Sequence, residues 1–338
     1  MQKLIIGVGI LVVFLLIVGF LLPAQSRFIV TTEIDAPPAT VFALVNSMRR
    51  RELWSNLSVT DPNARVMYSG PPRGTGATVT WDGAIIGSGT QTISESIPYE
   101  HVTSLINPGE PGEARSWFVL AGESGGTSVR RGFEHYYGLN IVGRYFGVFV
   151  TGVIRRDYQN DLENLKLAAE SLPAADFSDL DIERMRVEPG RIAYVSSSST
   201  PDPASVSEAL GNAYAEVVRF IDVNGLDIAG PPLSIKRSFR GSEFRFDAGI
   251  PVRGITESTP RESGKARLGS THGGIVIRTT HIGSYDSLNQ THRKIAAYLA
   301  ALGIERNGDA WESYVNDAAE TAESELLTYI YYPVREGT

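Results

Sequence analysis

The polarity pattern opens on a stretch with no polar or charged side chain, the 19 residues from Leu4 to Leu22. As a helix rising about 1.5 Å per residue, it spans the roughly 30 Å hydrocarbon core of a bilayer. It is apolar on every face, unlike the one-sided helix of a globular core. The pattern predicts an uncleaved transmembrane anchor over 1–26; the alternative is a signal peptide cut after Ser26, although such peptides carry a shorter apolar region. Lys3 precedes the run and Arg27 follows it, with Glu33 and Asp35 beyond. The positive-inside rule then puts the N-terminus in the cytoplasm. In a bacterium this makes a single-pass inner-membrane protein with periplasmic domains.

Beyond the anchor the pattern changes period. Arg27–Ile34 alternates as an edge strand, and Ala36-Pro37-Pro38 opens a short helix whose apolar side is Val41, Phe42, Leu44 and Val45. Short strand-like segments separated by Gly and Pro follow, at 65–69, 77–81, 84–94, 101–106, 115–120 and 127–137. A long helix over 147–170 is predicted by Val150, Ile154, Tyr158, Leu162, Leu165 and Ala169, at steps of four and three. A sheet with a closing helix is α+β. The polar segment 172–181 reads as a linker, separating a domain over 27–171 from one over 182–338.

The second domain is one unit written twice, over 192–252 and 275–334. Each copy has an apolar strand, an amphipathic helix stopped by Gly225 or Gly303, and a strand pair closing on Pro-Val. One helix face is Val206, Leu210, Tyr214, Val217, Val218 and Ile221; the other is Tyr285, Leu288, His292, Ile295, Leu299 and Leu302. The Gly/Ser/Thr-rich stretch 253–274 is predicted to be a mobile connection. The copies differ where Glu312 aligns with Ser234 and Tyr314 with Lys236. One acid beside a pseudo-two-fold seam predicts a single site.

Alternation in the strand Trp311–Asn316 puts Glu312, Tyr314 and Asn316 on one face. The closing strand presents Leu327, Tyr329 and Tyr331 on one side, where the first copy has Arg245, Asp247 and Gly249. Glu312, Tyr314, Tyr329 and Tyr331 are therefore the candidate ligand-binding set, and Glu312, Tyr314 and Tyr329 the candidate catalytic ones. The same residues also fit a surface strand with tyrosines covering an edge. A carboxylate among aromatics is expected to have a raised pKa, and tyrosine faces attract cations by about 0.5–2 kcal/mol each.

A net charge of −7 argues against nucleic acid as a partner. No cysteine is present, which removes thiol chemistry and Cys-type zinc sites. The five histidines form no H-x-H or H-E-x-x-H pair, and no Walker A loop or G-x-S-x-G elbow occurs, so no metal or cofactor is expected. His281 reads as a loop histidine at a strand end, with the cleft rim as its other placing. Glu95, His101, Glu134 and His135 have no catalytic spacing. Arg49-Arg50-Arg51 reads as a solvated helix end or, alternatively, a lipid-headgroup patch.

The segments APPATVFALVN, GTGATVTW and GRYFGVFVTGVIRRDYQNDLENLK resemble the SRPBCC (START-like, polyketide cyclase/dehydrase) superfamily over nearly the whole first domain. That resemblance implies a helix-grip, in which a curved antiparallel sheet wraps the long helix around an apolar cavity. It also implies a lipid or other apolar ligand without fixing any chemistry. Candidate cavity residues are Trp81, Trp117, Phe118 and Phe133 on strands and Tyr158 on the helix; each also fits plain core packing. HIGSYDSLNQTHRKIAAYLAALGI, WESYVND and ELLTYIYYPV resemble the GyrI-like, AraC-type effector-binding domains. That resemblance implies a duplicated β-α-β-β fold with helices on one sheet face and a ligand cleft on the other. It also implies that Glu312 is the acid that binds organic, often cationic, compounds. Some relatives are hydrolases using a glutamate and a tyrosine. No helix-turn-helix accompanies it here. Together these readings imply a membrane-tethered binder of small apolar or cationic organic molecules, acting in sensing, sequestration or transfer. A hydrolase using Glu312 and a cleft tyrosine, and a protein-interaction module, are the alternatives.

Overall fold

A computed structural model describes residues 2–56, 60–110, 112–240 and 243–336. The outermost residues assigned to the anchor and to the second domain, Met1, Gly337 and Thr338, lie outside the described residues. Helix α1, Gln2–Leu21, is the one described helix long and apolar enough to cross a bilayer, and it is consistent with a single membrane-spanning anchor. The chain divides into two compact units, with the main boundary at Ser178/Asp179 and the short segment Ala300–Leu302 assigned to the first.

The first unit is an antiparallel sheet of seven strands: β1 Gln25–Ile34, β2 Arg65–Ser69, β3 Thr78–Gly83, β4 Gly87–Ile97, β5 His101–Ile106, β6 Ala114–Glu123 and β7 Gly126–Tyr136. Their order is β1-β7-β6-β5-β4-β3-β2, so every neighbour but one follows in sequence. Helix α2 is Pro38–Val45 and the long helix α3 is Ile141–Glu170. Inward positions of the strands, such as Phe28, Val79, Ile93, Phe118 and Val129, bury against Tyr158, Leu162, Leu165 and Ala169 of α3. Several predicted boundaries shift by a few residues, two of them with a plain cause. Strand β4 starts at Gly87 instead of residue 84, because Ala84–Ile86 make the turn and Gly87 takes a positive φ of 68°. Helix α3 starts six residues before the predicted 147. Asn140 caps it by accepting from the Gly143 N–H at 2.9 Å. Its first turns pack against α1, so they do not show the core-facing period.

The second unit has β8 Ile182–Val187, β9 Arg191–Ser199, β10 Asp227–Ile228, β11 Leu233–Arg240, β12 Glu243–Arg253, β13 Glu262–Ser263, β14 Ala266–Ser270, β15 Gly274–Ile282, β16 Trp311–Tyr314 and β17 Leu327–Pro333. Helices α4, Pro203–Val223, and α5, Leu288–Leu302, complete the two copies. Sheet order is β13-β14-β9-β12-β11-β16-β17-β15-β8. The six central strands read as a palindrome, one copy being the mirror order of the other about the β11/β16 seam. Gly225 and Gly303 end their helices at φ 61° and 68°. Val217, Phe220 and Ile221 of α4 pack on Phe246, Ala248 and Ile250, whereas Val218, predicted on the buried face, is exposed. The connection predicted to be mobile contains the β13–β14 hairpin, which turns at Gly264 (φ 61°) and buries Ala266 against β9.

Candidate functional site

Glu312 sits on β16 next to the seam, with Ser234 of β11 as its register partner on the neighbouring strand. It is 5% exposed. Both carboxylate oxygens are engaged. Oε1 accepts from His292 Nε2 at 2.7 Å and from Lys236 Nζ at 2.9 Å; Oε2 accepts from the Tyr314 hydroxyl at 2.7 Å. His292 Nδ1 in turn lies 2.8 Å from the Tyr332 hydroxyl. Because the carboxylate can only accept, Nε2 carries the imidazole proton and Nδ1 accepts from Tyr332. Four elements meet here: β16 supplies Glu312 and Tyr314, β11 Lys236, α5 His292 and β17 Tyr332.

Above this cluster opens a cavity of about 830 Å³. Its walls come from both copies. Val206, Leu210 and Tyr214 belong to α4, Leu288 and Asn289 to α5, and Tyr285 to the turn before α5. The cleft thus lies between the two helices, on the helix side of the sheet, not on the opposite face that the family resemblance implied. Among the lining residues Glu312, Asp286, Asp317 and Glu323 are acidic and Lys236 is basic.

Tyr329 and Tyr331 do not join this cluster. The β16–β17 register pairs Ser313 with Tyr329 and Trp311 with Tyr331. Residues opposite each other on paired strands share a face, so both tyrosines project away from Glu312. Tyr331 stacks on Trp311 with centroids 4.7 Å apart, and the Arg278 guanidinium lies 4.7 Å from the Tyr329 ring. The side chains from β17 that face the helices are Thr328, Ile330 and Tyr332. Asn316 does line the cleft, but its amide bridges the Leu327 N–H and the Glu325 carbonyl and closes the loop between the two strands. His281, a possible rim residue by sequence, is buried at the start of α5, bonded to Thr291 Oγ1 at 2.8 Å.

The expectation of a raised Glu312 pKa is reversed. Burial on its own pushes the carboxyl up, but the His292 hydrogen bond and the Lys236 charge outweigh it and hold Glu312 at about 2. Burial lowers His292 below its usual value, which keeps the imidazole neutral near pH 7. Burial and the adjacent carboxylate push the Tyr314 hydroxyl well up, so it remains a donor. A carboxyl depressed on folding adds stability that is complete above its ordinary 4.5 and is lost as pH falls towards 2. We therefore expect the melting temperature of the detergent-solubilised full chain to exceed that of Glu312→Gln by the most near pH 7. The gap narrows steadily below pH 4.5; a gap that is flat from pH 7 to pH 3 contradicts the assignment.

The first unit places its predicted site residues differently. Phe133 and Tyr158 are core residues, packed with Phe28 at ring distances of 5.3–5.8 Å. Phe118 is buried edge-on to Trp54. Beside them lies a buried ion pair, Arg131 Nη1 to Asp161 Oδ2 at 2.7 Å, with the guanidinium 3.6 Å from the Tyr158 ring centroid. Trp117 alternates out of phase with Phe118 and lies on the outer sheet face, covering Gly132. Trp81 faces inward, with the half-buried Arg51 guanidinium 5.9 Å from its ring. Arg51 is thus turned into the domain, bonded to Gln91 at 2.5 Å, and is not part of a solvated or headgroup-facing run. Among the described residues no group of three or more His, Asp or Glu side chains is placed to hold a metal ion.

Residues 25–170 match the family described as polyketide cyclase / dehydrase and lipid transport, and residues 186–335 match the GyrI-like small molecule binding domain. The chain carries both domains. No curated protein matches it. Among solved structures, the EcmrR C-terminal domain is 14% identical over 46% of this chain and 98% of its own, with a TM-score of 0.38. A hydrolase from Listeria innocua is 15% identical over 48% of this chain and 94% of its own, with a TM-score of 0.33. Ara h 8.0201 is 12% identical over 44% of this chain and 99% of its own, with a TM-score of 0.32. At these levels the likeness says nothing about ligand or activity. The GyrI-like domain itself supports a small-molecule-binding role, and the polyketide cyclase-type domain suggests a small hydrophobic ligand.

Proposed function

We propose that the GyrI-like domain binds a small amphipathic organic cation in the cavity above Glu312, on a chain held at the membrane by α1 with its domains outside the cytoplasm. The observation that carries this is the cavity lining, where four acids face one base beside Tyr214, Tyr285, Tyr314 and Phe244. Such walls attract positive charge and offer aromatic faces to an apolar cation. Glu312 is compensated internally by Lys236, whose side chain is 23% exposed and itself lines the cavity. An incoming cation takes the place of that ammonium. The state of Glu312 favours binding over turnover: a carboxylate held at about 2, with both oxygens occupied, is a poor general base. For the first domain the proposal is coarser, a small hydrophobic ligand, with Trp81 the candidate side chain outside the Phe28–Phe133–Tyr158 stack.

The test is fluorescence titration of the full chain in detergent with thioflavin T, a cationic aromatic dye, and anilinonaphthalene sulfonate, an anionic one. The cation binds the tighter of the two. Lys236→Met removes the internal competitor and strengthens thioflavin T binding by about tenfold, a gain of roughly 1.4 kcal/mol. Preference for the anionic dye, or cation binding that Lys236→Met leaves unchanged, overturns the reading.

A further inference from the structure

Helix α3 has two apolar faces in its first half. One faces the core through Ile154 and Tyr158. The other is Val142, Phe146, Phe149 and Val153, at steps of four, three and four, each between 60% and 78% exposed. Leu139, just before the helix, is also exposed. The same line along α3 turns polar at Arg156 and Asn160. A stripe that is apolar over about 17 Å at 1.5 Å per residue, and polar beyond, is ordered along an axis.

The anchor supplies that axis. The Arg144 guanidinium donates to the Phe20 and Leu22 carbonyls at 2.9 and 3.2 Å and to the Gly138 carbonyl at 2.7 and 3.0 Å. It thereby satisfies C-terminal carbonyls that a helix leaves without partners. The Tyr145 hydroxyl reaches back to the Leu15 carbonyl at 2.7 Å, and Ile141 lies against Gly19. Farther along α3, Thr151 bonds Ser26 at 2.6 Å, beyond the end of α1. The apolar end of the stripe is therefore beside the last turns of the membrane span, and the polar end points away from it. Leu15 is seven residues before Leu22, so these contacts reach about 10 Å along the span.

We propose that Leu139–Val153 is a second membrane-contact element, an interfacial segment whose Val142, Phe146 and Phe149 insert among lipid chains beside the end of α1, with Val153, Arg155 and Arg156 at headgroup level. The occupant is the bilayer itself. Apolar burial of this depth and basic residues at its upper edge are what an interfacial helix needs. The segment fixes the tilt of the first domain against the membrane surface, which a single flexible tether does not do. The inference rests on α1 spanning the bilayer and is independent of the ligand of the GyrI-like domain.

The chain has no cysteine, so single-cysteine variants report single places. Val142→Cys, Phe149→Cys and, at the far end of the same helix, Leu167→Cys are labelled with the environment-sensitive fluorophore NBD. Each full-length protein is reconstituted into vesicles of phosphatidylcholine and phosphatidylglycerol at 3:1. Labels at 142 and 149 should emit blue-shifted, be quenched by nitroxide-bearing lipid, and resist iodide. The label at 167 should show the reverse. Iodide quenching at 142 and 149 equal to that at 167 means the stripe lies in water and overturns the proposal. Protection from both quenchers means that protein covers the stripe, and overturns it equally.

Discussion

Glu312→Gln lowers the affinity of the GyrI-like domain for thioflavin T by roughly 30-fold to several thousand-fold. Glutamine preserves the shape and the bond from His292, but it removes the one fully buried charge facing the ligand. Truncating a desolvated charge partner costs about 2–5 kcal/mol, which sets that range. Lys236 then lacks its counter-charge and adds repulsion towards a cation, so the loss is expected near the upper end. Glu325→Gln is the control, since Glu325 is exposed and does not line the cavity. Titration of the two variants side by side decides the matter: equal affinities would falsify Glu312 as the ligand's partner. This loss and the gain expected for Lys236→Met have opposite signs, so a general loosening of the fold cannot mimic both.

The largest stability effect is expected in the other domain. Asp161→Asn leaves the Arg131 guanidinium, 2% exposed, without its ion-pair partner among Trp54, Phe118 and Tyr158. Breaking a buried pair from one side costs about 3–5 kcal/mol. Asp161 also accepts from the Asn56 N–H at 2.7 Å, a bond that the asparagine oxygen can keep. Replacing both members, Arg131→Met with Asp161→Leu, removes the stranded charge and should restore stability above that of Asp161→Asn, at the expense of the Asn56 bond, about 1 kcal/mol. Thermal unfolding followed at tryptophan, whose signal includes Trp54 beside the pair, measures both. A double variant less stable than Asp161→Asn would mean that the pair does more than neutralise itself.

How much of this could be read from the chain follows the range of each signal. The elements were legible because helices and strands repeat within a few residues: the stripe Tyr158, Leu162, Leu165, Ala169 and the duplicated units both carry local periods. Glu312 and Tyr314 were legible as a pair because they are two apart on one strand. Their partners were not. His292 stood in the sequence as one more position on an amphipathic face, and Lys236 as the counterpart of Tyr314; only the packing of α5 and the β11–β16 pairing bring them to the carboxylate. The one available hint was a histidine on the core-facing stripe of a helix. Tyr329 and Tyr331 were misplaced for a related reason. Alternation shows which residues of β17 share a face but not which face, and a shift of one residue exchanges the two. The raised pKa failed with them, since its sign depended on Lys236 and His292 being elsewhere. The early start of α3 was hidden because its first turns answer to α1 and not to the core.

The palindromic strand order has a consequence for which chemistry the seam tolerates. Register partners on adjacent antiparallel strands have side chains about 5 Å apart, and Ser234 and Glu312 are such partners. Two glutamates there would meet across the axis as a dyad sharing one proton, because like carboxylates that close do not both ionise. A fully symmetric duplicate would therefore present a half-neutral acid pair, whereas serine opposite glutamate leaves one carboxylate wholly charged. The duplication gives the cavity its two walls; divergence at a single register pair gives it its ion.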